Sequence, residues 1–171
     1  MNRRPFPEGS GFFETLRTEG GKVAELTRHM RRALTASRAL SIPIPEEEVV
    51  RNEISKTIAE NPFELGRLRL CFSSHNFLVT HDAYTELTGG AFLTFSPHTS
   101  KARGEQFKSF PYDSHYEIVD EARAYGFDDA IIFNSKNDVT ETGLSNIAFF
   151  IDGIWVTPPI SAGILPGIMR Q

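Results

Sequence analysis

Four places in this chain carry residues that could do chemistry. A lysine, Lys108, sits in Phe107-Lys108-Ser109-Phe110-Pro111-Tyr112, and a glutamate, Glu141, in VTETGLSN (139–146). A glycine-containing stretch, Leu165-Pro166-Gly167-Ile168-Met169, lies near the end, and Arg32 follows His29 by three residues. Taken singly, each has a plain reading. A lysine after a polar loop, an arginine on a helix and an acid ahead of a strand are most often solvated. The histidines at 29, 75, 81, 98 and 115 show no metal-ligand spacing. GxSxG, a P-loop and GxGxxG do not occur, so hydrolase and nucleotide-binding readings have no foothold.

Taken together, the four places meet the needs of one cofactor, pyridoxal phosphate. It requires a lysine amine for its aldehyde and an acid beside its pyridine nitrogen, so that the ring stays protonated and draws electrons. It also requires a cation and backbone N–H groups for its phosphate. A helix beginning at Pro166-Gly167 would offer such N–H groups, with glycine allowing the backbone close.

The elements that must position these residues follow from periodicity. GFFETLR (11–17) reads as a strand, with Gly20-Gly21 a turn before a short strand at Val23. Thr27 is the expected N-cap of a helix with Met30, Ala33, Leu34, Ser37 and Leu40 on one face. Glu46-Glu47-Glu48 opens a second helix, with Val50, Ile54 and Ile58 in line and Asn61-Pro62 ending it. Strands are expected at 67–73, 77–81 and 91–95. The polar stretch from Ser96 to Gln106 is the expected boundary between an N-terminal lobe (1–100) and a C-terminal lobe (101–171). A helix fits 114–125, with Tyr116, Val119 and Ala122 inward and Gly126 as its stop. Strands follow at 130–133, 139, 146–151 and 154–157, the last two joined at Asp152-Gly153. Hairpin-length loops and few helices indicate an α+β protein.

The order of motifs resembles the fold-type IV pyridoxal-phosphate enzymes: branched-chain aminotransferases, D-amino acid aminotransferases and 4-amino-4-deoxychorismate lyases. GFFETLR is similar to the family's entry strand, and LTRHMRRALTAS (26–37) to its helix carrying a His and, three positions on, a phosphate-contacting Arg, here Arg32. FKSFPY followed by EARAYGFDDAIIFN (121–134) resembles the segment of the cofactor lysine, Lys108. VTETGLSN supplies the pyridine-nitrogen acid, Glu141, and a cofactor-side Asn146. TPPISAGILPGIMR (157–170) resembles the phosphate loop, with Leu165 lining the ring and Ile168 and Met169 donating N–H groups.

The resemblance implies a two-lobed fold, shortened in its second lobe relative to the family. It implies a pyridoxal-phosphate enzyme working on a small amino substrate as a homodimer. The form of the first strand and of the LPGIMR ending favours the lyase branch of folate biosynthesis, which releases pyruvate and 4-aminobenzoate. An aminotransferase or a non-catalytic relative is the alternative. The chain departs from the family pattern in three places: Pro111 replaces a polar residue, Thr142-Gly143-Leu144 follows the acid, and Met169 stands where a threonine is common. Arg67 and Arg69 are candidates for a substrate carboxylate or for solvent.

Bulk properties are compatible. A chain of 171 residues buries roughly 70% of its unfolded surface, enough for a real core. Eighteen basic against 22 acidic residues give a net charge of -4, which disfavours nucleic acid or an anionic membrane as partner. The single cysteine, Cys71, falls in an alternating strand and reads as a packed thiol. No apolar run reaches membrane-spanning length, no signal-peptide core is present, and the cytoplasm is the expected location.

Overall fold

In the computed structural model, which describes residues 6–86, 88–100 and 106–170, the chain divides into two compact units. One contains Met1–Leu87 and Lys108–Pro111, the other Thr88–Phe107 and Tyr112–Gln171. The division falls at 87/88, earlier than the expected 100/101, and the lysine segment returns to the first unit. Pairing explains both differences. Strand β5 (Leu93–Ser100), assigned from sequence to the first lobe, pairs in parallel with β7 (Asp129–Asn134) of the second unit. Strand β6 (Ser109–Phe110) pairs with the first strand of the first unit. The polar Ser96–Ser100 stretch is therefore strand, with a bulge between Phe95 and Thr99; residues 101–105 lie outside the described residues.

The first unit is built on β1 (Gly11–Glu19), β2 (Lys22–Val23), β3 (Leu65–Ser73) and β4 (Phe77–Ala83), in the order β2-β1-β3-β4, all antiparallel. Alternation sorts the side chains of β1. Phe12, Glu14, Leu16 and Thr18 take one face with Leu68, Leu70, Phe72 and His81 of the neighbouring strands. Helices α1 (Leu26–Leu40) and α2 (Glu47–Glu60) cover that face. Phe12, Leu16, Leu68, Leu70 and Phe72 are each at most 1% exposed. Each contributes about 1.5–3 kcal/mol over leaving it in water.

Helix α1 is turned from the expected face. It buries His29, Ala33 and Ala36, while Leu34 and Leu40 are exposed, and Glu25 rather than Thr27 is its N-cap. The physical reason is a buried acid on β1, described below, which draws a polar helix stripe inward. Helix α2 buries Val50 and Ile54 as expected, but Thr57 completes the buried line while Ile58 is only half-buried, and the helix ends at Asn61. Cys71 is buried, and burial pushes its thiol up to about 11.

In the second unit β5, β7 and β8 (Val139–Thr142) form a three-stranded sheet. Helix α3 (Asp113–Ala124) packs on it through Val119 and Ala122. Strands β9 (Phe149–Ile151) and β10 (Ile154–Val156) form a separate hairpin. Its turn places Asp152 at φ 49° and Gly153 at φ 81°, the left-handed pair that Asp-Gly turns provide. The helix expected at Pro166-Gly167 is a three-residue 3-10 turn, Ile168–Arg170. No helix among the described residues is long and apolar enough to cross a membrane.

Candidate functional site

Strand β1 positions two sets of groups on its opposite faces. On the helix-covered face, Glu14 is 2% exposed and accepts from Arg32 Nε at 2.9 Å, from an Arg32 Nη at 2.5 Å and from His29 Nδ1 at 2.6 Å. The spacing of His29 and Arg32 puts both on one side of α1, so a single carboxylate takes them together. Burial alone pushes the Glu14 carboxyl up. The hydrogen bonds from His29 and Arg32, with the Arg32 charge, outweigh it and hold the group below the ordinary carboxylate range. Arg32, expected to hold a phosphate, thus makes a two-point ion pair within the fold. From sequence Glu14 reads only as part of the entry strand. The missed signal was one acid on an apolar strand face, followed by a helix presenting His and Arg three apart.

On the other face Phe13 and Phe110 pack with Phe6, whose ring centroid is 4.7 Å from Phe13 and 5.1 Å from Phe110. Lys108 is half-buried, and its carbonyl accepts the Phe13 N–H at 2.8 Å. Its Nζ lies 5.2 Å from the Phe13 ring centroid, within cation–π range. Arg69 lies between Phe6 and Phe13, 4.9 and 5.5 Å from their ring centroids, rather than in solvent. Arg67 approaches Asp82 at 3.8 Å.

The second unit gathers three of the expected site residues. Glu141, 9% exposed at the end of β8, accepts the Leu165 N–H at 3.1 Å and the Asn146 side-chain amide at 3.2 Å on one oxygen, Oε2. The same amide donates to the Leu165 carbonyl at 3.0 Å, closing the set. Gly167 packs so tightly on Asn146 Oδ1 that any Cβ there would overlap it. Ile168 is buried and Met169 is 87% exposed. Beside Glu141 a cavity of about 570 Å³, lined by Thr140, Ile132, His115, Ser114 and Gln106 among others, has the size of small-molecule sites.

Sequence reasoning also missed Asp129. It organises the turn after Glu141, accepting from Thr142 Oγ1 at 2.9 Å, Gly143 N–H at 2.9 Å and Leu144 N–H at 3.3 Å. The only hint was an acid opening the Ala130–Phe133 apolar run.

A sequence model of the family described as Amino-transferase class IV matches residues 11–171. The chain belongs to that family. Class IV amino-transferases are pyridoxal-phosphate-dependent enzymes, and the two-unit α+β structure is that of the fold-type IV members. A Schizosaccharomyces pombe protein named "Putative aminodeoxychorismate lyase" is 23% identical over 96% of this chain and 73% of its own. A Legionella pneumophila crystal structure named "Putative 4-amino-4-deoxychorismate lyase" superposes with a TM-score of 0.82 at 25% identity. The match covers 99% of this chain and 71% of that one. The Escherichia coli branched-chain amino acid aminotransferase gives a TM-score of 0.81 at 20% identity over 95% of this chain and 63% of its own, a likeness of fold.

Each unit by itself meets one need of the cofactor. In the second, a buried carboxylate fixed by two N–H donors suits a protonated ring nitrogen; in the first, the amine of half-buried Lys108 suits an aldehyde. At the phosphate end the expected cation is engaged by Glu14.

Proposed function

We propose that this class IV chain binds pyridoxal phosphate and acts as a 4-amino-4-deoxychorismate lyase, releasing pyruvate and 4-aminobenzoate from an amino substrate as a homodimer. The Glu141–Asn146–Leu165 set carries the cofactor reading: the carboxylate is held by the Leu165 N–H and the Asn146 amide, groups of the protein itself. The names carried by the Schizosaccharomyces and Legionella proteins support the lyase branch.

In this reading Lys108 would hold the cofactor at its aldehyde end, and its amine, once free, would carry a proton to and from the substrate carbon. Glu141 would accept the hydrogen bond that keeps a proton on the ring nitrogen. Asn146 and the Leu165 N–H orient that carboxylate, Leu165 would line the ring, and Arg32, Ile168 N–H and Met169 N–H would hold the phosphate. Bound, the cofactor supplies an electron sink for the substrate carbon.

Mixing the purified chain with pyridoxal phosphate is the test. A visible absorption band should develop, and borohydride should fix the adduct to Lys108. Absence of the band, or the same adduct in Lys108→Ala, ends the reading and leaves a non-catalytic relative. With the band in hand, release of 4-aminobenzoate supports the lyase. Oxoglutarate-dependent transamination without it supports a branched-chain or D-amino acid aminotransferase instead.

A further inference from the structure

We infer that Asp129 is a positioning residue for Glu141 and Asn146, acting through the turn between them; its functional side rests on the role proposed above for Glu141. Glu141 and Asn146 flank residues 142–145, so the closure of this short turn sets how the two side chains face each other. Backbone bonding closes the turn only in part. The Thr142 N–H reaches the Ser145 carbonyl at 2.8 Å, and the Ser145 N–H reaches Thr142 Oγ1 at 3.2 Å. The Gly143 and Leu144 N–H groups find their acceptors on Asp129, at Oδ1 and Oδ2 respectively.

Thr142 Oγ1 has one hydrogen and two acceptors in reach, Asp129 Oδ2 at 2.9 Å and the Ser145 carbonyl at 3.2 Å. The shorter contact ties the turn to β7. Asp129 is itself fixed, since its Oδ1 also accepts the Ala130 N–H at 2.8 Å. Gly143 seals the arrangement: a Cβ there would meet Asp129 Oδ1 at 2.7 Å and Val119 Cγ2 at 2.8 Å. One carboxylate thus serves three donors of the turn, and the turn carries Glu141 at one end and Asn146 at the other.

The consequence reaches Leu165. Its N–H donates to Glu141 Oε2, so an ill-placed Glu141 leaves that amide without its acceptor. Asp129→Asn keeps the shape but replaces one acceptor oxygen by an amide that cannot accept.

The experiment is amide hydrogen exchange on the full chain without cofactor, with pyridoxal phosphate affinity measured alongside. In Asp129→Asn the amides of Gly143, Leu144 and Leu165 should exchange at least about tenfold faster than in the wild type. Phe133→Leu, which loosens the same strand at its contact with Phe95, controls for general destabilisation and should leave those three amides comparatively protected. Thr142→Val keeps the carboxylate while removing one of its donors and the hydroxyl that accepts the Ser145 N–H. It should shift the same amides less, and it decides the matter if Asp129→Asn does not fold.

Unchanged Leu165 protection in the variant overturns the inference, even where pyridoxal phosphate binds normally. Equal acceleration of all three amides in Phe133→Leu overturns it too. If the wild type fails to bind pyridoxal phosphate, the cofactor reading falls, and the Leu165 amide still decides whether Asp129 positions Glu141. Where the wild type binds, affinity should fall at least about tenfold more in Asp129→Asn than in a Phe133→Leu protein of equal melting temperature.

Discussion

Replacing Arg32 by Met tests the strongest electrostatic claim made for the fold. Glu14 is 2% exposed and the Arg32 side chain 13%, so the pair is not a surface bridge screened by water. At an effective dielectric of about 20, charges about 4 Å apart interact by about 4 kcal/mol. Removing one partner of a buried pair leaves the other uncompensated, at a cost of about 3–5 kcal/mol. At roughly 2–4 °C per kcal/mol for a chain of this size, Arg32→Met should melt about 6–20 °C below the wild type.

Glu14→Leu combined with Arg32→Met should recover part of the loss, because no buried charge is then stranded. pH supplies a second arm. The folded Glu14 carboxyl lies below its unfolded value of about 4.3, so its stabilisation is fully present above that value. It is lost as pH falls through 4.3 toward the folded pKa. The urea-derived stability gap between wild type and Glu14→Gln should therefore be constant near neutrality and close in acid. A loss in Arg32→Met below about 1 kcal/mol, the range of exposed pairs, refutes the reasoning, as does strict additivity in the double variant.

Two further outcomes follow from the first unit. Thr18→Val should cost about 1–3 kcal/mol by denaturation, because the Asn61 carbonyl fixes His81 Nδ1 as donor at 2.7 Å and leaves Nε2 dependent on the Thr18 hydroxyl at 2.7 Å; a neutral result means another donor replaces it. Cys71, with its thiol raised to about 11 by burial, should hold on the order of one thiolate per several thousand molecules at pH 7.5. Iodoacetamide should therefore label it slowly in the native chain and faster in denaturant; rapid native labelling contradicts the packed-thiol reading.

Much of the fold was legible because periodicity reports burial directly. Among the described residues the α-helices and most strands lie where alternation or 3.6-residue spacing put them, and Asp152-Gly153 announced its own turn. The misplacements share a cause: residues whose environment is set by distant partners. Ser96–Ser100 looks like loop until β7 supplies a parallel partner. The inward face of α1 looks like Met30, Leu34 and Leu40 until Glu14 claims His29 and Arg32. Glu141, Asn146 and Leu165 could be named from motif order, but the hydrogen bonds that join them across the chain could not. Asp129 was invisible for the same reason, since its value lies in three donors more than ten residues away.

The Glu14 pair also changes what the His-x-x-Arg motif can be taken to mean. A guanidinium carries five N–H donors in a planar fork. In Arg32 the Nε edge of that fork is committed to Glu14, whose own pKa is depressed by the contact. A phosphate role for Arg32 must therefore be shared with the fold, and the motif alone does not separate the two duties. Glu14→Gln does separate them. It removes the competing charge while leaving Arg32 in place, so a phosphate-binding Arg32 should lose stability in the apo chain yet hold pyridoxal phosphate at least as tightly. If Arg32 serves only the ion pair, the stability loss remains and affinity falls with it or stays flat when Arg32 is then removed. Binding measured in Glu14→Gln and in Glu14→Gln/Arg32→Met, at matched fraction folded, assigns the motif to the cofactor or to the fold.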